Sequence, residues 1–186
     1  MLQQPSVGLT IWLTGLSGAG KSTLANRLAN EWQRRGMNVE VLDGEDMRAH
    51  LSNELGFTKQ DRDTNVRRIA YTAKLLTRNN VTTIVASISP YRETRDEARA
   101  SLQRFVEVYV KCPLEVLLAR DTKGLYRRAL NGEIPNFTGV SDPYEEPLAP
   151  EIVVETDRQT VDESLAIILD RLWALGYLEP VAELGD

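Results

Sequence analysis

The feature that most constrains this chain is the glycine-rich stretch GLSGAGKS at residues 15–22. It matches G-x-x-x-x-G-K-[ST], follows the apolar run 8–14 and precedes a segment with apolar residues at helical spacing. In that setting, glycines let backbone N–H groups turn onto phosphate oxygens at a helix N-terminus. Lys21 is then expected to reach the β- and γ-phosphates of ATP, and the Ser22 hydroxyl to bind Mg²⁺. The alternative is a glycine-rich turn without a ligand.

Strand-like and helix-like segments alternate along the rest of the chain. This alternation predicts an α/β fold, with a five-stranded parallel sheet flanked by helices and the phosphate loop of P-loop nucleoside-triphosphate hydrolases and kinases. Ligands of such sheets bind at the carboxyl ends of the strands. The predicted strands are 8–14, 38–42, 81–88, 105–110 and 152–156, and the predicted helices are 22–35, 60–79, 92–103, 114–121 and 160–175.

Length and composition indicate one domain over residues 1–186. The net charge is −5, which argues against a nucleic-acid partner held by phosphate contacts. No apolar run approaches the ~18 residues of a membrane span, and a single cysteine, Cys112, favours a reducing cytoplasm. Residues 122–150 are expected to form a mobile lid, because their part 131–150 holds four prolines and has no periodicity. Residues 179–186 are expected to be a flexible tail.

Three carboxylates follow the second predicted strand in the stretch LDGEDMR, residues 42–48. They are Asp43, Glu45 and Asp46. At the carboxyl end of a strand beside the phosphate loop, such groups hold Mg²⁺ through water or accept the proton of an attacking hydroxyl. Charge clusters are also common in solvated turns, so the local sequence leaves both alternatives open.

Cations and aromatic residues in later segments suggest a second ligand. Arg48, Arg62 and Arg67 are candidates to converge on a sulfate or phosphate group, although each alone is more typical of a protein surface. Phe57 and Phe137 lie in polar surroundings and are suited to stack on a base from both sides. The cations of residues 120–129 either neutralise a transferring phosphoryl group or form a charged helix face. The single histidine, His50, is interpreted as a surface helix residue.

Several runs in this chain closely resemble the adenylylsulfate kinase (APS kinase) family. They are GLSGAGKST, LDG…R, LGF…DR…N.RR, ISPYR, RD.KGLYRRA..GEIPNFTG and PYE.P..PE, which occur in order from about residue 9 to residue 156. The resemblance implies an enzyme that transfers the γ-phosphoryl group of ATP to the 3′-hydroxyl of adenosine 5′-phosphosulfate (APS). The products are 3′-phosphoadenosine 5′-phosphosulfate and ADP. It also implies a requirement for Mg²⁺, a role in sulfate activation and a homodimer.

The resemblance also assigns roles to residues that match the family motifs. The implied ATP-binding residues are Gly15, Leu16, Ser17, Gly18, Ala19, Gly20, Lys21, Ser22, Thr23 and Arg120, with Ser22 on the metal. The implied APS-binding residues are Asp43, Arg48, Phe57, Arg62, Asn65, Arg67, Ile88, Ser89, Lys123, Leu125 and Phe137. The catalytic candidates are Lys21, Asp43, Glu45, Ser89 and Lys123.

This chain departs from the family pattern at a few positions. Residues 43–46 are D-G-E-D, where the family usually has D-G-D-N, so the role of Glu45 is open. Thr122 occupies a position where the family usually has proline, and Cys112 occupies one where it usually has threonine. The serine matching Ser89 has been proposed as a phosphoserine intermediate, whereas direct in-line transfer needs no such relay. Two rival hypotheses are a P-loop kinase for another small molecule and a nucleotide-binding module that has lost catalysis.

Overall fold

The computed structural model describes residues 8–121 and 123–178. Within these ranges the chain forms a parallel five-stranded sheet in the order β2-β3-β1-β4-β5. This confirms the predicted fold class. The strands are β1 Thr10–Thr14, β2 Val39–Asp43, β3 Thr82–Ala86, β4 Phe105–Lys111 and β5 Ile152–Glu155; the helices are α1 Lys21–Arg34, α2 Gly44–Leu51, α3 Lys59–Thr77, α4 Arg92–Ser101, α5 Leu114–Arg120, α6 Leu125–Leu130 and α7 Val161–Ala174.

The central strand, β1, is completely buried and divides the core in two. Its side chains alternate between the faces of the sheet. Ile11 and Leu13 pack in the cluster with α1 and α7, whereas Trp12 packs in the cluster with α3 and α4. Both faces are therefore covered, as a parallel sheet requires.

Helix α3 begins at a capping box. Thr58 Oγ1 accepts a hydrogen bond from the Asp61 backbone N–H, and the Asp61 carboxylate accepts from the Thr58 backbone N–H. The predicted elements agree with the observed ones to within a few residues, but α2 and α6 were missed. Both are short, and α2 buries only Met47, so its apolar spacing gives little signal.

The irregular segment 131–150 is tied to the carboxyl edge of the sheet. Tyr144 stacks on Tyr109 of β4 with ring centroids 6.1 Å apart. The Tyr144 hydroxyl lies 2.9 Å from Thr14 Oγ1, and the Glu145 backbone N–H donates to the Pro90 carbonyl at 2.8 Å. This end of the predicted lid is thereby fixed beside β1 and β3.

Two expectations lie outside the described residues, the flexible tail at 179–186 and the substitution at Thr122. In the described part of the chain, no helix has both the length and the apolar character needed to cross a membrane.

Candidate active site

A cavity of about 810 Å³ opens at the carboxyl edge of the sheet, where the sequence predicted a site. The phosphate loop forms one end of it. The start of α2, the end of β3, one face of α3 and the lid region enclose the remainder.

The phosphate loop has the backbone that its glycines were expected to allow. Gly18 and Gly20 have φ values of 77° and 100°, which L-residues with side chains rarely adopt. At Gly15 a Cβ atom would lie 2.4 Å from the Val110 carbonyl oxygen. The loop leads directly into α1 at Lys21, so the first N–H groups of the helix face the cavity.

Lys21, the first residue of α1, is buried. Its ammonium group donates to the carbonyl oxygens of Gly15 and Leu16 at 2.9 and 2.7 Å. Burial lowers the pKa of Lys21 to about 8, against the opposing effects of the Asp43 and Glu45 carboxylates. The loop thus holds a poorly solvated ammonium group, whose charged form a bound phosphate anion would stabilise.

The structure separates the three carboxylates of the LDGEDMR stretch. Asp43 accepts from the Ser22 hydroxyl at 2.5 Å and from the Glu45 backbone N–H at 2.9 Å, so it joins the phosphate loop to the start of α2. Asp46 instead lies on the surface beside His50, 3.3 Å from its ring nitrogen. Asp43 is therefore part of the cavity, and His50 is the surface helix residue that the sequence predicted.

Glu45 reaches the lid. Its carboxylate lies 2.5 Å from the Lys123 ammonium group, and both side chains line the cavity while remaining largely exposed. In this structure the partner of Glu45 is therefore a lid lysine. The ion pair joins the first turn of α2 to the segment that begins the lid.

Ser89 is held rigidly at the end of β3. It is 2% exposed and has a φ of 41°. Its hydroxyl oxygen accepts from the Trp12 indole N–H at 3.0 Å, and its carbonyl accepts from Arg95 at 2.6 Å. The hydroxyl therefore has a structural partner on β1.

Two phenylalanines and two arginines form the far end of the cavity. Phe57 and Phe137 both line it, as predicted. The Arg48 guanidinium carbon lies 4.6 Å from the Phe57 ring centroid, and that of Arg62 lies at 5.4 Å. Phe137 packs edge-on against Tyr126 with ring centroids 5.1 Å apart.

Two buried polar atoms at this end have no hydrogen-bond partner among the described residues. They are Asn65 Oδ1 and Thr138 Oγ1, on residues that line the cavity. Because buried polar groups are rarely left unpaired, both are candidates for ligand contacts. Asn65 was expected from the family resemblance, and Thr138 was not.

Arg67, which the resemblance assigns to APS binding, lies apart from Arg62 and Asn65. It lies outside the cavity, where its guanidinium group forms two hydrogen bonds with Glu97, at 2.7 and 3.1 Å. Helix geometry explains this position. Arg62, Asn65 and Val66 share one face of α3 and line the cavity. Each further residue of a helix is rotated by about 100°, so Arg67 lies on a different face from Val66.

Arg120 also lies outside this cavity. Its guanidinium group donates to the Thr156 carbonyl at 3.1 Å, and Thr156 in turn donates to Ala19 of the phosphate loop at 2.9 Å. Arg120 is thus linked to the phosphate loop through Thr156, on the side away from the cavity. Of the remaining predicted residues, Ser17, Gly18, Gly20, Ser22, Thr23, Ile88 and Leu125 line the cavity.

Sequence reasoning missed the role of Tyr126. Its ring is buried, and its hydroxyl donates to the Ser17 carbonyl at 2.8 Å, which fastens the lid helix α6 to the phosphate loop. The signal in the sequence is the KGLY run, one of the runs that resemble the family.

A parallel sheet with a phosphate loop after β1, a carboxylate after β2 and a cationic lid defines a P-loop phosphotransferase. The family model described as adenylylsulphate kinase matches residues 7–155. The chain belongs to the adenylylsulphate kinase family.

Individual relatives agree with this assignment. The adenylyl-sulfate kinase of Rippkaea orientalis is 54% identical over 94% of this chain and 97% of its own length. A probable bifunctional SAT/APS kinase of Sorangium cellulosum is 56% identical over 92% of this chain, which spans only 29% of that protein.

Solved structures agree as well. The Mycobacterium tuberculosis APS kinase CysC, solved in complex with AMPPNP and APS, superimposes with a TM-score of 0.87 at 37% identity, over 91% of this chain and 99% of that one. The hexameric APS kinase from Thiobacillus denitrificans gives a TM-score of 0.71 at 39% identity, over 92% of this chain and 30% of that one.

Proposed function

We propose that this chain transfers the γ-phosphoryl group of ATP to the 3′-hydroxyl of APS, giving 3′-phosphoadenosine 5′-phosphosulfate and ADP. The observation that carries the proposal is the continuity of one cavity from the phosphate loop to the pair of phenylalanines. A kinase for shikimate or gluconate has no base to place between two aromatic rings.

At the donor end, the loop N–H groups and the Lys21 ammonium group hold the phosphates of ATP. The residues present fit Mg²⁺. Ser22 and Asp43 offer two hard oxygen atoms 2.5 Å apart. This suits an ion that keeps several waters and binds mainly to substrate phosphates. When bound, Mg²⁺ neutralises charge on the transferring phosphoryl group.

At the acceptor end, Asp43 orients the 3′-hydroxyl. The hydroxyl oxygen forms a bond to the γ-phosphorus, the bond from that phosphorus to the β–γ bridging oxygen breaks, and the hydroxyl proton passes to the Asp43 carboxylate. Direct transfer needs no phosphorylated Ser89, whose buried hydroxyl accepts from the Trp12 indole and donates to the Ser87 carbonyl. Lys123 closes over the transferring group with Leu125.

APS is bound at the far end by the residues that line it. Phe57 and Phe137 stack on the adenine, and Arg48, Arg62, Asn65, Ile88 and Ser89 surround the rest of the molecule. Arg67 is left out of this set because it is paired with Glu97 outside the cavity. Arg120 supports the phosphate loop from behind.

A coupled ADP-release assay with APS as acceptor tests the function. We expect APS-dependent release of ADP, and background rates with shikimate or gluconate. ATP binding without turnover of APS would refute the proposal and favour a module that has lost catalysis.

Location and assembly are part of the proposal. A reducing cytoplasm is supported by the single cysteine, which is buried. A homodimer is expected from the family resemblance, although the Thiobacillus relative is hexameric. Light scattering on the purified chain distinguishes these assemblies.

A further inference from the structure

Arg62 links the backbones of the two cavity phenylalanines. Its Nε–H donates to the carbonyl of Phe57 at 3.1 Å. Its Nη2–H donates to the carbonyl of Asn136, the residue before Phe137, at 2.5 Å. One guanidinium group therefore bridges two segments that are about 80 residues apart in the chain.

Asp142 completes a ring of interactions around this bridge. Its backbone N–H donates to the Phe137 carbonyl at 3.1 Å, and its carboxylate lies 3.6 Å from Arg62 Nε. The Tyr91 hydroxyl donates to the same carboxylate oxygen at 2.6 Å. Asp142 thus fixes both Phe137 and the guanidinium group that spans to Phe57.

These groups are largely shielded from water. Arg62 is 8% exposed and Tyr91 4% exposed. Hydrogen bonds to a charged group in such surroundings are stronger than those on a surface. Arg62 is therefore held in one orientation, and at least two of its five N–H groups are directed at protein carbonyls.

We propose that Arg62, oriented by Asp142 and Tyr91, is a positioning residue that sets the gap between Phe57 and Phe137 and so determines affinity for the adenine. The inference rests on the proposed function and adds to the contact of Arg62 with APS a second role, as a brace for the base site. Asp142 and Tyr91 act through Arg62.

The physical reason is the geometry of stacking. A base inserted between two rings needs both at van der Waals distance, and each stack is worth about 1–3 kcal/mol only when that distance is met. Phe57 lies before α3 and Phe137 lies in the lid region, so no local structure fixes their separation. The Arg62 bridge supplies that constraint.

The two roles of Arg62 predict different responses of a ligand that lacks the anion. Dissociation constants for APS and for adenosine are measured by calorimetry with ADP filling the phosphate loop, for Arg62→Lys, Asp142→Asn and Tyr91→Phe. A lysine keeps the charge but cannot donate to both carbonyls at once. We expect the affinity for adenosine to fall about tenfold for the first two variants and about threefold for Tyr91→Phe, and the affinity for APS to fall by at least the same factor.

An unchanged constant for adenosine would overturn the inference, whether or not APS binds more weakly, because Arg62 would then not set the base site. The KM for ATP is expected to stay within about twofold in all three variants. Asp170→Asn, which removes an exposed carboxylate on α7, is the matched control and should change neither constant.

The measurement also separates this inference from the proposed function. Absence of APS turnover by the unmodified chain contradicts the function, whereas the two binding constants decide the role of Arg62 independently of turnover. If Arg62→Lys fails to fold, Tyr91→Phe, which loses a single hydroxyl, decides the question in the same way.

Discussion

Replacement of Ser89 separates a structural role from a chemical one. Ser89→Ala removes the hydroxyl that accepts the buried Trp12 indole N–H at 3.0 Å. It keeps a Cβ atom on a residue whose backbone φ is 41°. Ser89→Gly removes the same acceptor but relieves the backbone, because glycine adopts positive φ without a steric penalty.

The expected magnitudes follow from these two effects. An unpaired buried donor costs about 1–3 kcal/mol, and a chain of this length loses about 2–4 °C in Tm per kcal/mol. With about 2 kcal/mol lost, Ser89→Ala should melt about 4–8 °C below the unmodified chain. Ser89→Gly should recover about 1 kcal/mol of that loss.

The assay combines thermal unfolding with coupled ADP release. We expect the unmodified chain to be the most stable, Ser89→Gly to be intermediate and Ser89→Ala to be the least stable. Direct in-line transfer predicts that kcat falls no more than about threefold in either variant. A fall in kcat of about 1000-fold in both variants, with substrate binding intact, would refute the reasoning and support a phosphoserine relay.

Three further predictions concern the phosphate loop and the lid. Binding of ATP should raise the pKa of Lys21 above its value of about 8. Calorimetry in buffers of different ionisation enthalpy should therefore show uptake of about half a proton per site at pH 8 and less at pH 6.5. Release of protons on ATP binding would contradict this prediction. Tyr126→Phe loses the hydrogen bond to Ser17. It should raise the KM for ATP about three- to tenfold and leave the KM for APS unchanged. Equal changes in both KM values would contradict this and indicate general unfolding. Glu45→Gln breaks the exposed pair with Lys123 and should lower kcat/KM less than about fivefold; a changed Mg²⁺ requirement would place position 45 near the metal.

Much of the fold was determined by local sequence. The phosphate loop was recognisable because its function depends on consecutive residues, and glycines at fixed offsets are needed for the backbone path. The alternation of apolar runs and helical spacing predicted each strand and every helix except α2 and α6. The helices α2 and α6 escaped because short, exposed helices carry few periodic apolar residues.

The assignment of individual polar side chains was decided by tertiary structure. Arg62 and Arg67 look equivalent in the sequence, but helical phase sends one into the cavity and the other to Glu97. Asp43 and Asp46 are only three residues apart, yet the Ser22 hydroxyl selects one of them. The partners of Arg62, Ser89 and Glu45 come from segments more than 70 residues away. Such pairings arise only when the chain folds back on itself, because nothing in the local pattern of charges specifies which distant group will be adjacent.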